Sequence, residues 1–165
     1  MKLYQLYAKQ ILPISKKEAW DFLSDPKNLQ VITPQHMGFE ILSGGERPMF
    51  PGQIIQYIVQ PFPFFKTRWV TEITHVVEEE YFVDEQRFGP YELWHHKHFI
   101  KPVEMGVEME DVIDYKLPFG ILGQMAHPLI IKKQLQQIFH FREQKLKELF
   151  GTIPDQENEL KIVGI

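Results

Sequence analysis

Polar and apolar residues alternate from Lys2 to Leu12, the period of a half-buried strand, and Pro13 ends the run. Ser15-Lys16-Lys17-Glu18 then has the form of a capping box. Ala19, Trp20, Phe22 and Leu23 supply an apolar face behind it, so a short helix is expected there. Asp25-Pro26 repeats the signal, a capping side chain followed by a proline suited to the first turn, with Leu29, Val31 and Ile32 after it and Thr33-Pro34 as the stop. From Met37 to Tyr115 strand-like runs return, broken by turn-forming groups such as Ser43-Gly44-Gly45, Pro51-Gly52, Pro61-Phe62-Pro63, Gly89-Pro90 and Glu104-Met105-Gly106. These breaks leave six predicted strands, roughly 38–42, 53–60, 66–76, 81–87, 91–101 and 107–116. No segment between them is long enough for a crossover helix, so neighbours should pair antiparallel as a meander.

After Leu117-Pro118-Phe119-Gly120 the period changes. Pro128 can open a helix, and Ile131, Leu135, Ile138, Phe139, Leu146, Leu149 and Phe150 then recur at three- and four-residue steps, up to the terminator Gly151. Residues 120–126 read as a preceding turn of helix that Pro128 kinks or separates. The stretch 152–165 has no clear period and is expected to dock or stay loose. With no repeat or linker, the chain divides into one domain, 1–150, and a C-terminal tail, 151–165. The economical packing is α+β: a curved, seven-stranded antiparallel sheet gripping a long C-terminal helix, with two short helices after the first strand.

Composition narrows the partners. A net charge of -4 is of the wrong sign for nucleic acid. The absence of cysteine removes disulfides, thiolate nucleophiles and cysteine zinc sites. No stretch has transmembrane length and the alternating N-terminus reads as a strand and not a signal peptide, so no integral membrane association is expected, and the lack of cysteine fits a reducing cytoplasm, the expected location. Phe 13, Tyr 6 and Trp 3 are a large aromatic payload for a chain of 165 residues, and such rings either fill a core or line an apolar pocket.

The order of elements and several motifs resemble the START-like or SRPBCC superfamily, which includes the birch-pollen-allergen fold and the polyketide cyclases and dehydrases. The motifs are Ala19-Trp20-Asp21-Phe22-Leu23-Ser24-Asp25-Pro26-Lys27-Asn28-Leu29, Arg68-Trp69 with Glu72-Ile73, Phe82-Val83-Asp84, Gly89-Pro90-Tyr91 with Trp94-His95-His96-Lys97-His98, and Asp111 to Gly120. The resemblance covers residues 1 to about 150. It implies a helix-grip fold with a deep cavity between sheet and helix, and it implies no single activity, since the superfamily holds binders, carriers and enzymes.

The resemblance also favours Trp94, His96, His98 and Ile100 as the inward face of their strand. By alternation Val107, Met109, Asp111, Ile113 and Tyr115 share a face of the next one, and Phe82, Asp84, Gln86 and Phe88 share a face of the preceding one. If these faces agree, Asp84, Gln86, His96, His98 and Asp111 form a polar cluster among rings and aliphatics. A small apolar ligand, a lipid, polyketide-like or isoprenoid molecule, would then be bound by that cluster together with Trp20, Trp69, Phe82, Trp94, Met109, Ile113, Tyr115, Ile131 and Leu135. Such a cluster also suits a satisfied hydrogen-bond network that fixes strand register.

Two rival readings stand beside carriage. A histidine, His96 or His98, oriented by Asp84 or Asp111 can serve as general acid or base in a cyclase- or dehydrase-like enzyme. Alternatively, Phe62, Phe64 and Phe65, set between prolines, cap the core, guard a cavity mouth, or contact a protein partner or membrane. His96 and His98 with Asp111 have a spacing compatible with zinc, but no second histidine cluster supports it, and neither a metal nor a cofactor is expected.

Overall fold

In a computed structural model, which describes residues 2–62 and 64–165, the chain forms one eight-stranded antiparallel sheet and a long helix. The elements run β1 (Tyr4–Leu12), α1 (Lys16–Leu23), α2 (Pro26–Val31), a 3-10 turn (Gln35–Met37), β2 (Glu40–Ser43), β3 (Gln53–Phe62), β4 (Phe65–Val77), β5 (Tyr81–Phe88), β6 (Leu93–Val103) and β7 (Gly106–Lys116). Then come α3 (Gly120–Ala126), a π-helical turn (His127–Ile131), α4 (Lys132–Phe150) and β8 (Glu159–Gly164). The strand order is β2-β3-β4-β5-β6-β7-β1-β8.

Local chemistry explains most boundaries. Ser15 Oγ accepts from the Glu18 N–H at 3.2 Å while the Glu18 carboxylate accepts from the Ser15 N–H at 2.9 Å, closing the capping box of α1. Asp25 accepts from the Lys27 N–H at 3.0 Å, with Pro26 behind it, and starts α2. Gly106 turns β6 into β7 with φ +150, and a Cβ there would lie 2.0 Å from the Leu12 carbonyl oxygen. Pro128 does not separate α3 from α4. The helix widens into a single π turn and continues, since a wider turn accommodates the ring and the missing N–H without a break.

The sequence suggests seven strands and the structure has eight. The extra one is β8, which pairs antiparallel with β1 from Tyr4↔Gly164 to Lys9↔Glu159 and buries Ile162. Its signal is short and its stabilising partner is the far end of the chain, so local pattern alone misses it. Ile162→Ala is expected to lower the unfolding free energy by about 2–4 kcal/mol, read by chemical denaturation.

The helix rests on one side of the sheet. Leu135 and Phe139 pack with Tyr4, Leu6, Ile113 and Tyr115 of β1 and β7, and Leu146 packs with Leu12, Trp20, Phe82, Val107 and Met109. Beyond this contact the sheet bends away. Register shifts interrupt β2–β3, β3–β4 and β4–β5, and bulges of this kind sharpen twist and curvature. The contact over β1 and β7 is therefore filled, and a hollow remains between the helix and β3–β6.

Candidate functional site

The hollow has a volume of about 700 Å³. Its sheet wall carries Tyr57 and Val59 from β3, Trp69, Thr71 and Ile73 from β4, Phe82 and Asp84 from β5, and Trp94, His96 and His98 from β6. Ile131, Leu135, Ile138, Phe139 and Arg142 close the helix side, and Leu29, Ile32 and Met37 close one end. The aromatic rings brace one another: Trp69 and Trp94 meet edge to face at 5.3 Å, and Tyr91 lies 4.7 Å from Trp94. The Gln134 amide donates to the Pro61 carbonyl, tying α4 to the end of β3.

One corner is polar. His98 Nε2 lies 2.7 Å from Asp84 Oδ2, and His96 Nε2 lies 3.0 Å from Asp111 Oδ1. His96 Nδ1 is 3.5 Å from Asp84 Oδ2. The Arg142 guanidinium reaches from α4 to within 3.2 Å of Asp111 Oδ1. The two imidazoles face each other with centroids 3.6 Å apart, and Phe82 stacks on His98 at 4.1 Å. His98 Nδ1 is also 2.8 Å from Asp111 Oδ1, yet this nitrogen has no hydrogen-bond partner, because its direction misses the oxygen. We read that contact as electrostatic.

The charged groups of the corner set one another's ionisation. Burial would raise both carboxyl groups, but His96 and His98 hold Asp84 below its ordinary value, and Arg142 with both imidazoles holds Asp111 well below the usual carboxylate range. For His98, burial favours the neutral ring and the two carboxylates outweigh it, so its pKa is raised. Burial, and then the charge on His98, push His96 down to about 4. The corner thus pairs two carboxylates held ionised with one guanidinium and with His98, the imidazole of the two whose protonated form the carboxylates favour. Burial and the nearby Asp84 charge keep the Tyr57 phenol protonated.

Of the residues singled out in the sequence, Trp69, Phe82, Asp84, Trp94, His96, His98, Ile131 and Leu135 line the hollow. Six others do not. Trp20 packs edge to face on Phe82 beneath α1, and Met109, Ile113 and Tyr115 lie under the helix where it rests on β7. Asp111 sits behind the histidines, within the polar corner but off the cavity wall. Gln86 turns to the backbone of Tyr91, donating to its carbonyl and accepting from its N–H. The bulge between β4 and β5 breaks the alternation after Gln86, and Phe88 is exposed instead of inward. Arg68 is exposed as well.

The phenylalanine loop divides. Phe65 lines the mouth of the hollow while Phe64 is fully exposed, with Phe119, Ile121 and Leu122 also exposed on the helix side, so Phe64 does not cap the core. Pro63 and the Phe62 side chain lie outside the described residues. Arg142 is a site residue that the sequence expectation omits, although a signal for it exists. It falls in step between Phe139 and Leu146 on the buried stripe, where a charged residue demands a buried partner. His127, stacked on Tyr4 at 3.6 Å and 2.6 Å from the Tyr115 hydroxyl, carries no such signal.

No protein-family model matches the sequence, and no curated protein does. Solved structures match in shape. Protein CV1439 from Chromobacterium violaceum is 13% identical with a TM-score of 0.67, covering 90% of this chain and 99% of that one. TTHA0849 from Thermus thermophilus is 15% identical with a TM-score of 0.64, covering 87% of this chain and 94% of that one. Ara h 8.0201 is 13% identical with a TM-score of 0.56, covering 88% of this chain and 99% of that one. At such identities the likeness establishes the fold, which is the helix-grip fold implied by the resemblance in the sequence. No described helix is long and apolar enough to cross a membrane.

Proposed function

We propose that the protein binds or carries one small, mostly apolar molecule, of lipid, polyketide-like or isoprenoid character, whose polar end meets the Asp84–His96–His98 corner. The observation that carries this reading is the hollow of about 700 Å³, apolar on nearly every side and polar at one corner. Burial of apolar ligand surface supplies roughly 25 cal/mol per Å², and the polar corner orients the guest. The exposed apolar residues Phe64, Phe119, Ile121 and Leu122 near the mouth suit the passage of such a guest.

Native mass spectrometry of the purified protein, followed by lipid extraction, tests the reading. A co-purified apolar molecule is expected, or tight binding of an added fatty acid or fluorescent apolar probe. Ile138→Trp projects a larger ring from α4 into the hollow and should weaken probe binding at least about tenfold while leaving the melting temperature nearly unchanged. Probe affinity equal to that of the wild type would sink the reading.

A second reading, acid–base catalysis of the cyclase or dehydrase kind, draws on neutral His96 beside the hollow with ionised Asp84 3.5 Å from its Nδ1. It requires turnover that His96→Gln lowers by far more than it weakens guest binding, read as a loss in kcat beyond any rise in KM. The interaction-module reading requires a filled interior and has less support.

A further inference from the structure

We propose that Asp84, His96 and His98 form a binding site for one divalent first-row transition-metal ion, zinc or ferrous iron, at the polar corner of the hollow. This goes beyond guest binding and does not depend on which guest, if any, occupies the cavity.

The donor atoms are already gathered. One ligand atom from each of the three residues lies within 4.8 Å of the others, and two of the separations are 2.7 and 3.5 Å. Donors around a tetrahedral ion with bonds of about 2.0–2.1 Å stand about 3.4 Å apart, so the required movement is below about 1 Å for the close pair. Two imidazoles and one carboxylate suit zinc or ferrous iron, and two nitrogen donors argue against magnesium or calcium.

The surroundings carry the inference further. A histidine that ligates a metal through one nitrogen usually offers its other N–H to a carboxylate. Here Asp111 Oδ1 is hydrogen-bonded to the far nitrogen of His96, Nε2 at 3.0 Å, and is itself anchored by Arg142 at 3.2 Å, while the far nitrogen of His98 lies 2.8 Å from the same oxygen but out of line for a hydrogen bond. Thus Asp84 would share the ion, and Asp111 would orient the His96 ring from behind.

Binding replaces the proton that joins His98 to Asp84: the ion enters, one proton leaves, and the lone pair of His98 Nε2 becomes a ligand. All three ligands line the hollow, so the remaining coordination positions open toward the cavity, where water or an anionic group of a guest can bind.

The test is a titration of chelator-treated, folded protein with Co²⁺ as a spectroscopic stand-in. One ion per chain is expected, with visible absorption of the low-coordination type, and Zn²⁺ should displace it. Asp84→Asn and His96→Gln should each weaken binding at least about 100-fold, with folding verified by circular dichroism. Asp111→Asn should weaken it by about 10–100-fold, as for other groups that orient metal ligands from behind. Absence of the band in the folded wild-type protein, or its persistence in both Asp84→Asn and His96→Gln, would overturn the proposal. The second result would assign binding to exposed histidines such as His140. A failed apolar-probe experiment leaves the Co²⁺ signal unaffected, so the two readings fail separately.

Discussion

Replacing Arg142 with methionine should lower the unfolding free energy of the metal-free protein by about 3–5 kcal/mol, measured by chemical denaturation at neutral pH. Methionine preserves much of the volume on the buried stripe of α4, so a missing side chain does not account for the loss. The cause is Asp111, buried and ionised, whose oxygen lies 3.2 Å from the guanidinium. Without that charge the carboxylate retains only the two imidazoles, and His96 is neutral near neutral pH. Adding Asp111→Asn to Arg142→Met should recover more than half of the loss, because the uncompensated charge disappears with its partner. If Arg142→Met unfolds within about 1 kcal/mol of the wild type, the pair is not what holds the corner together.

Acid should unfold the metal-free protein over an unusual window, and His96 should be a main reason. In the unfolded chain this imidazole takes up a proton near its ordinary 6.5, whereas in the fold burial and His98 delay protonation to about 4. Between these values the unfolded state binds the extra proton, so stability falls as pH falls. A separation of about 2.5, at about 1.4 kcal/mol per pH unit, gives about 3 kcal/mol lost from pH 6.5 to pH 4. The groups facing His96 are Asp84 on β5, His98 on β6, Asp111 on β7 and Arg142 on α4. His98 works in the opposite direction, since its raised pKa contributes stability that is complete below 6.5 and lost as pH rises through the folded value. Asp84 and Asp111 add to the acid side, because their lowered values mean that stability is lost as pH falls through the carboxylate range.

His127 is also pushed down to about 4, by burial and then by Lys132 and Lys2, so it titrates in the same window. Comparison with His96→Gln separates the two. The variant should lose about 3 kcal/mol less than the wild type between pH 6.5 and pH 4. Parallel denaturation curves for the two proteins across that range would remove His96 from the account.

How far the site is readable in the sequence depends on the kind of information each residue carries. His96 and His98 are recoverable as a pair because two residues two apart on a strand share a face, and the family resemblance, not alternation, favours that face as the inward one. Phe88 is misplaced by the same rule because it fails across a bulge, and a bulge follows from the pairing of two strands, whereas Gln86 keeps its register and is taken up by the Tyr91 backbone. For Met109, Ile113 and Tyr115 alternation gives the correct face but not their distance from the hollow. The face is local, whereas the position of the helix above it is not. β8 escapes local pattern for a similar reason: its partner, β1, lies at the opposite end of the chain.

Amino-acid order alone dictates most of the elements, their caps and the buried side of each, since these follow from side-chain direction and backbone preferences acting over a few residues. Long-range contacts seat α4 on β1 and β7 and leave a hollow over β3–β6. They also bring Arg142 to Asp111 and make Asp84, His96 and His98 neighbours. Those outcomes depend on strand register, bulges and the seating of the helix, all set between residues far apart in the chain, where no local period carries a signal.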